Sequence, residues 1–204
     1  MPQPGASSEV SIKYGISNSD LQKAAVLFDQ AFSGKFKYAI RDDSLRIKFW
    51  SEVINSEQIV AAYINSELVG IALITFEGKP GFLKSAKKTL FRILGYRQGL
   101  KSAIYFILFS KLDKKIIFPN AYLEAISVSE KYRSFGIGNK LISEVSSITK
   151  KQGNTSLLLQ VVLENYQAQK LYERIGFNVV SATKTPFLRI FTRVSGASLM
   201  AKEL

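Results

Sequence analysis

The residues best placed to do chemistry lie in Arg133-Ser134-Phe135-Gly136-Ile137-Gly138, an arginine-led turn punctuated by glycine. A β-prone apolar run at 122–128 leads into it through Ser129-Glu130-Lys131-Tyr132. Beyond it Ile137, Leu141, Ile142, Val145 and Ile148 recur at helical spacing, and Gly153 is placed to end that helix. A strand that passes through such a turn into a helix builds an anion site. The first-turn N–H groups have no intrahelical acceptor, and glycine lets a phosphate approach the backbone closely. From the residues alone the stretch is either such a cradle or a tight turn without a ligand.

The second candidate is Glu124, a carboxylate inside the apolar run 122–128. Placing it there is costly unless the group is paired or used. The sequence contains no cysteine and no histidine. Thiol nucleophiles, disulfides and thiolate metal sites are thereby excluded, and no metal site is expected. Proton transfer falls to carboxylates, tyrosine, lysine or water.

Around these residues the chain reads as alternating strands and helices. A weakly alternating stretch at 10–16 could form a first strand. Asn18, Ser19 or Asp20 can cap a helix carrying Leu21, Ala24, Ala25, Leu27, Phe28 and Phe32 on one face, with Gly34 as its stop. A second helix starts near Asp42-Asp43-Ser44 and runs through Leu45, Ile47, Phe49, Trp50 and Val53, with Trp50 assigned to the core. The β-rich runs 58–64 and 68–76 are joined by Asn65-Ser66, which predicts a hairpin. After the central turn, Ser156-Leu-Leu-Leu-Gln-Val-Val162 reads as a buried strand. Ala168, Leu171, Tyr172 and Ile175 then fall on one helical face before Gly176, and strands follow at 177–182 and 187–202 around a Pro186 turn.

Residues 79–119 form an insert rich in Lys and Arg, with Asp113 its only acid. Its apolar positions predict one or two amphipathic helices broken near Gly95 or Gly99. It is a hairpin packed on the sheet with a solvated basic face, a lid on the substrate side, or a surface for an anionic partner or a membrane. Nucleic acid is one such partner, and binding would then weaken steeply with salt.

At 204 residues the chain suits one domain, with 47% apolar and 22% charged residues, ordinary proportions for a globular protein. Residues 1–10 lack the basic start and apolar core of a signal peptide, residues 1–8 are expected to fray, and no apolar run reaches the roughly 18–20 residues of a membrane span. The expectation is a cytoplasmic protein. The net charge of +12 suits an anionic partner, a nucleotide-like cofactor included, or only solubility. Oligomeric state stays open, a homodimer included.

The turn Arg133-x-x-Gly136-x-Gly138 resembles the pyrophosphate loop of the GNAT superfamily of N-acetyltransferases, with Ser134 where that family often has glycine. Some thirty residues downstream, Asn165-x-x-Ala168-x-x-Leu171-Tyr172-x-x-x-Gly176-Phe177 is similar to the second hallmark of the same superfamily. The likeness covers 122–182 well, agrees only in element order over 9–76, and gives 79–119 no counterpart in the minimal fold.

The resemblance implies an α/β fold, a twisted mixed sheet flanked by helices, with acetyl-CoA lying where two parallel strands splay. It implies pantetheine pairing with the backbone of Ile126, Ser127 and Val128. The pyrophosphate would rest on N–H groups of Ser134, Phe135, Gly136, Ile137, Gly138 and Asn139, with Arg133 screening a phosphate or covering the helix start. Asn165 and the Ala168 turn would meet the cofactor arm, and the Val128 N–H would hold the oxyanion.

The implied reaction is direct acetyl transfer to a primary amine in a ternary complex. Polyamine-acetylating members carry the same Tyr-Leu-Glu and Tyr-Arg-x-Phe-Gly-Ile-Gly spacing, and their glutamate aligns with Glu124. An alkylamine of ordinary pKa is neutral in about one molecule in 2,500 at pH 7, a deficit of about 4.6 kcal/mol that a carboxylate beside it offsets. The alternative for Glu124 is an outward-facing or ion-paired position. Tyr172 matches the tyrosine that protonates the departing thiolate; its alternative is a core tyrosine bonded to backbone. The amine acceptor is not named by the sequence. A non-catalytic CoA-binding sensor or adaptor of the same fold, using the basic insert to hold a partner, is the competing reading.

Overall fold

The computed structural model describes residues 9–79, 81–110, 121–184 and 194–204. The expectations for residues 1–8, for the end of the basic insert (Lys111, Asp113, Lys114 and Lys115) and for the Pro186 turn lie outside them.

Seven strands form one sheet in the order β1-β2-β3-β4-β5-β7-β6. These are β1 (Ser11–Tyr14), β2 (Ile59–Ile64), β3 (Glu67–Phe76), β4 (Ala121–Val128), β5 (Ser156–Val162), β6 (Asn178–Lys184) and β7 (Gly196–Glu203). All neighbours run antiparallel except β4 and β5. Asn65 and Ser66 both take left-handed φ, 49° and 64°, the geometry a tight two-residue hairpin needs.

Helix α4 (Ile137–Lys151) covers one face of the sheet, and its Leu141, Ile142, Val145 and Ile148 enter a core with β2, β3, β4 and β5. Helices α1 (Leu21–Phe36), α2 (Asp43–Val53) and α3 (Ala86–Ser110) cover the other. Helix α2 starts at the expected place, with Asp42 accepting the Leu45 N–H at 2.8 Å, whereas Asp20 at the start of α1 makes no side-chain cap bond because a short 3₁₀ turn, Asn18–Asp20, leads into that helix. Helix α1 continues past Gly34 to Phe36, because Phe32 and Phe36 both stack around Phe28 and hold the last turn on the core. Tertiary burial outweighs the modest helix penalty of one glycine.

Two charges hold α1 to α2 from inside. Arg46, 1% exposed, donates from Nε and Nη2 to the Asp29 carboxylate at 2.6 and 2.9 Å, and from Nη1 to the Ile40 carbonyl at 2.9 Å. The Asp29 hydrogen bonds hold the guanidinium more firmly protonated than usual. Burying an ion pair gains little by itself, but removing one partner strands the other charge.

The insert folds as α3, interrupted at Gly95 (φ 70°) and not at Gly99. It is moored on α1 and its exit: Ser102 Oγ donates to the Ala39 carbonyl and the Tyr105 hydroxyl to the Lys35 carbonyl, both at 2.6 Å. Arg92 pairs with Glu52 of α2. Lys84, Lys87, Lys88, Arg92, Arg97 and Lys101 are exposed. No helix among the described residues is long and apolar enough to cross a membrane.

Asp29→Ala is expected to lower unfolding stability by about 3–5 kcal/mol, measured by urea denaturation. A loss below about 1 kcal/mol, the scale of an exposed pair, would show that the buried pair is not what secures α1 to α2.

Candidate active site

The site is built where β4 parts from β5. The two strands pair only at Ala121–Leu123 against Leu157–Leu159, although β4 continues to Val128 and β5 to Val162. Beyond Leu123 no strand among the described residues pairs with the edge of β4 that faces β5, and the two strands part in a wedge-shaped opening.

A β-bulge sits at the start of that opening. Ile74 pairs with Leu123 and Leu73 with Ala125, which leaves Glu124 as the extra residue of β4. The bulge reverses the alternation of the strand. Ala121 and Leu123 join the core under α4, whereas Ala125 joins the core on the α1–α2 face, and Ile126 and Val128 return to α4. Ser127 follows the new phase and donates to the Leu27 carbonyl of α1 at 2.7 Å. Glu124 precedes the change of phase: like Tyr122 it lies opposite Ala121 and Leu123, and it lines a cavity of about 730 Å3 between the sheet, α1, α2 and α3. Glu124 is thus neither an ordinary solvent-facing strand residue nor part of the apolar core.

At the end of β4 a short 3₁₀ turn, Glu130–Tyr132, leads into the loop. The Tyr132 hydroxyl donates to Glu67 at 2.9 Å and the Ser129 N–H to the Val69 carbonyl at 2.9 Å, fixing the loop to β3. Ser134 takes φ 69° and Gly136 φ 73°. Serine in the left-handed region costs roughly 1–2 kcal/mol that glycine avoids, the physical reason a glycine suits position 134. The first intrahelical bond of α4 is from Lys140 N–H to the Gly136 carbonyl, and no side chain caps this end. The N–H groups of Ile137, Gly138 and Asn139 therefore lack helical acceptors. A Cβ at Gly136 or Gly138 would meet open space, so the backbone is accessible there. Gly70 of β3 lets α4 approach this close: a methyl there would lie 3.2 Å from Leu141 and 3.3 Å from Ile137. Arg133 is exposed and pairs with Glu130 at 3.3 Å, and Phe135 is half exposed.

Because β4 and β5 are parallel, the segment after β5 reaches the same end of the sheet as this loop. There Asn165 caps α5 (Tyr166–Arg174), its Oδ1 accepting the Ala168 N–H at 3.1 Å. The Ala168 N–H is thus already used, while the loop N–H groups are not. Ala168, Tyr172 and Ile175 pack on the α4-side core, but Leu171, expected on the same face, is 41% exposed because the short helix meets the core along a narrow stripe. The Tyr172 ring meets Phe177 edge-on, with centroids 5.8 Å apart. Burial pushes its phenol up to about 12. Among the described residues no group of three or more His, Cys, Asp and Glu could hold a metal ion.

The sequence profile of the acetyltransferase (GNAT) family matches residues 25–177. The chain belongs to that family. Over 57 residues it is 40% identical to a thialysine N-epsilon-acetyltransferase of Bos taurus, covering 28% of this chain and 34% of that protein. Over 70 residues it is 30% identical to N-alpha-acetyltransferase 50 of Danio rerio, covering 34% and 42%. The matches thus span less than half the length of these curated relatives. The GNAT fold is also found in an acetyltransferase crystal structure (TM-score 0.60, 22% identity, 95% and 98% of the two chains). It recurs in Arabidopsis thaliana Naa50 in complex with a bisubstrate analogue, CoA-Ac-MVNAL (TM-score 0.58, 20% identity, 96% and 99%).

Reading the sequence missed most of the cavity wall. Phe28, Phe32 and Trp50 were legible as helix-face or core residues, Phe36 lay beyond the expected helix end, and Trp50 is both 1% exposed and part of the wall. Gln160, the polar residue in an otherwise apolar strand, also lines it and could have been singled out on that ground.

The buried phenol gives a signed pH prediction. An unfolded tyrosine ionises near pH 10, whereas Tyr172 stays neutral in the fold to about 12. Its contribution is therefore complete below pH 10 and is lost as pH rises from 10 to 12. The urea midpoint of the wild type should fall more steeply above pH 10 than that of Tyr172→Phe. Parallel curves would mean that the phenol is not held in a buried setting.

Proposed function

We propose that the protein is an acetyl-CoA-dependent N-acetyltransferase that moves the acetyl group directly to a primary amine. The observation that carries this reading is the wedge between β4 and β5. It presents unpaired backbone at one end, uncapped helix N–H groups at the other, and a carboxylate in the cavity beyond.

Bound acetyl-CoA supplies the activated thioester; the chain supplies the rest. N–H groups of Ile137, Gly138 and Asn139 receive the pyrophosphate, and the helix dipole of α4 adds to that attraction. The freed edge of β4 at Ile126, Ser127 and Val128 pairs with the pantetheine amides, which orients the thioester over the bulge. Glu124 takes the ammonium proton, directly or through a water, and leaves the nitrogen lone pair free to attack. The carbon–nitrogen bond forms, the oxyanion is held by the Val128 N–H, the nitrogen gives up its second proton to water, and the carbon–sulfur bond then breaks. Tyr172 donates to the departing sulfur. Because burial weakens the phenol as an acid, it acts first as a hydrogen-bond donor and yields its proton late. Attack is direct, since the chain offers neither cysteine nor histidine to carry the acetyl group.

Glu124→Gln and Tyr172→Phe keep size and shape while removing proton transfer. Each should lower turnover by about 10²-fold or more in a thiol-release assay and leave acetyl-CoA affinity within about threefold. Unchanged turnover in both would remove these residues from the reaction. Intact acetyl-CoA binding with no turnover by the wild type on any amine would favour a CoA-binding sensor or adaptor.

A further inference from the structure

The cavity that Glu124 faces has a wall chemistry the function does not by itself explain. From α1 and α2 it is lined by Phe28, Phe32, Phe36 and Trp50, which pack on one another at 4.8–6.1 Å between centroids. The opposite wall comes from the insert. On α3, Tyr96, Leu100, Ile104 and Ile107 line the cavity while being 44–76% exposed. They follow one another at helical spacing, so one stripe of α3 forms an apolar lip. Glu124 is the only acid among the described lining residues, and the only cations there are Lys35 and Lys87.

Resting on the acetyltransferase reading above, we infer that the acceptor is a monoamine with a large apolar body, aromatic or long-chain alkyl, whose ammonium meets Glu124 while the body lies between the aromatic wall and the α3 lip. The volume of about 730 Å3 falls within the roughly 300–1,000 Å3 of pockets that bury a compact organic ligand. A polyamine fits poorly: its further ammonium groups would be stripped of water against apolar walls and would meet Lys35 and Lys87 in place of acids. An amino sugar or a peptide would bury hydroxyls or amides where few partners exist. A long acyl chain on the donor would suit the walls equally. The carboxylate argues for the acceptor, since an ammonium is the group it recognises and an alkyl tail offers it nothing.

The test is kcat/KM by thiol release with acetyl-CoA across propylamine, butylamine, pentylamine and hexylamine, with phenethylamine, spermidine and a short peptide amine beside them. Each methylene should raise kcat/KM about fourfold, the equivalent of about 0.8 kcal/mol per buried CH2. Hexylamine should therefore exceed propylamine by about sixtyfold, and phenethylamine should exceed spermidine. In the double variant Leu100→Ser, Ile104→Ser, at exposed positions of α3, the gain should fall below about twofold per methylene while acetyl-CoA affinity holds.

A flat or falling amine series, or a preference for spermidine or the peptide, overturns the inference while leaving the acetyltransferase reading intact. So does a flat amine series accompanied by a preference for octanoyl-CoA over acetyl-CoA, which would give the cavity to the donor. A steep series unchanged in the double variant removes the α3 lip from the site. Failure of acetyl-CoA to bind in calorimetry defeats the underlying reading instead, and is seen separately.

Discussion

Everything at the site depends on β4 releasing β5 after three residues of parallel pairing. A sheet normally leaves no backbone group in its interior without a partner. Here the pairing stops at Leu123 and Leu159, five residues short of the end of β4. The bulge at Glu124 marks the place. It shifts the side-chain phase so that Ser127 turns to α1 and Val128 to α4. Glu124 itself faces the cavity on the α1–α3 face, opposite Leu123 by the ordinary alternation of the strand. The end of pairing, the bulge and the cavity-facing carboxylate thus meet at one place on β4.

Two supports keep that opening in shape. On one face, α4 is drawn close over Gly70, and the loop before it is tied to β3 through Tyr132–Glu67 and Ser129–Val69. On the other, the Asp29–Arg46 pair locks α1 to α2, and α3 hangs on α1 and the following segment through Ser102 and Tyr105. The loop can therefore hold a left-handed serine at 134 and an uncapped helix start, because the strain and the unmet N–H groups are balanced by packing behind them. The insert gives the cavity a wall without touching this machinery.

Much of this was legible in the sequence for physical reasons. The hairpin at Asn65-Ser66, the start of α2 near Asp42 and the helix after Gly136 rest on local rules of backbone and periodicity, and local rules are what a sequence carries. Glu124 stood out because a carboxylate in an apolar run needs a reason. What the sequence hid was long-range. Nothing around Arg46 distinguishes a buried arginine from a solvated one, since its partner Asp29 is seventeen residues away on another helix. The helix running past Gly34 and the exposure of Leu171 were each decided by what packs against them. The cavity is the extreme case, because its walls come from three helices that look like ordinary core when read one at a time.

The central claim is that the wedge and the loop at the start of α4 form an acetyl-CoA site, and calorimetric titration of the wild-type protein with acetyl-CoA, with desulfo-CoA as a second ligand, tests it most directly. The account predicts one-to-one binding at micromolar concentration for both ligands, because the contacts are to phosphate and pantetheine and not to the sulfur. No binding at millimolar ligand would contradict it: the loop would then be a turn alone, and family membership would describe the fold without the activity.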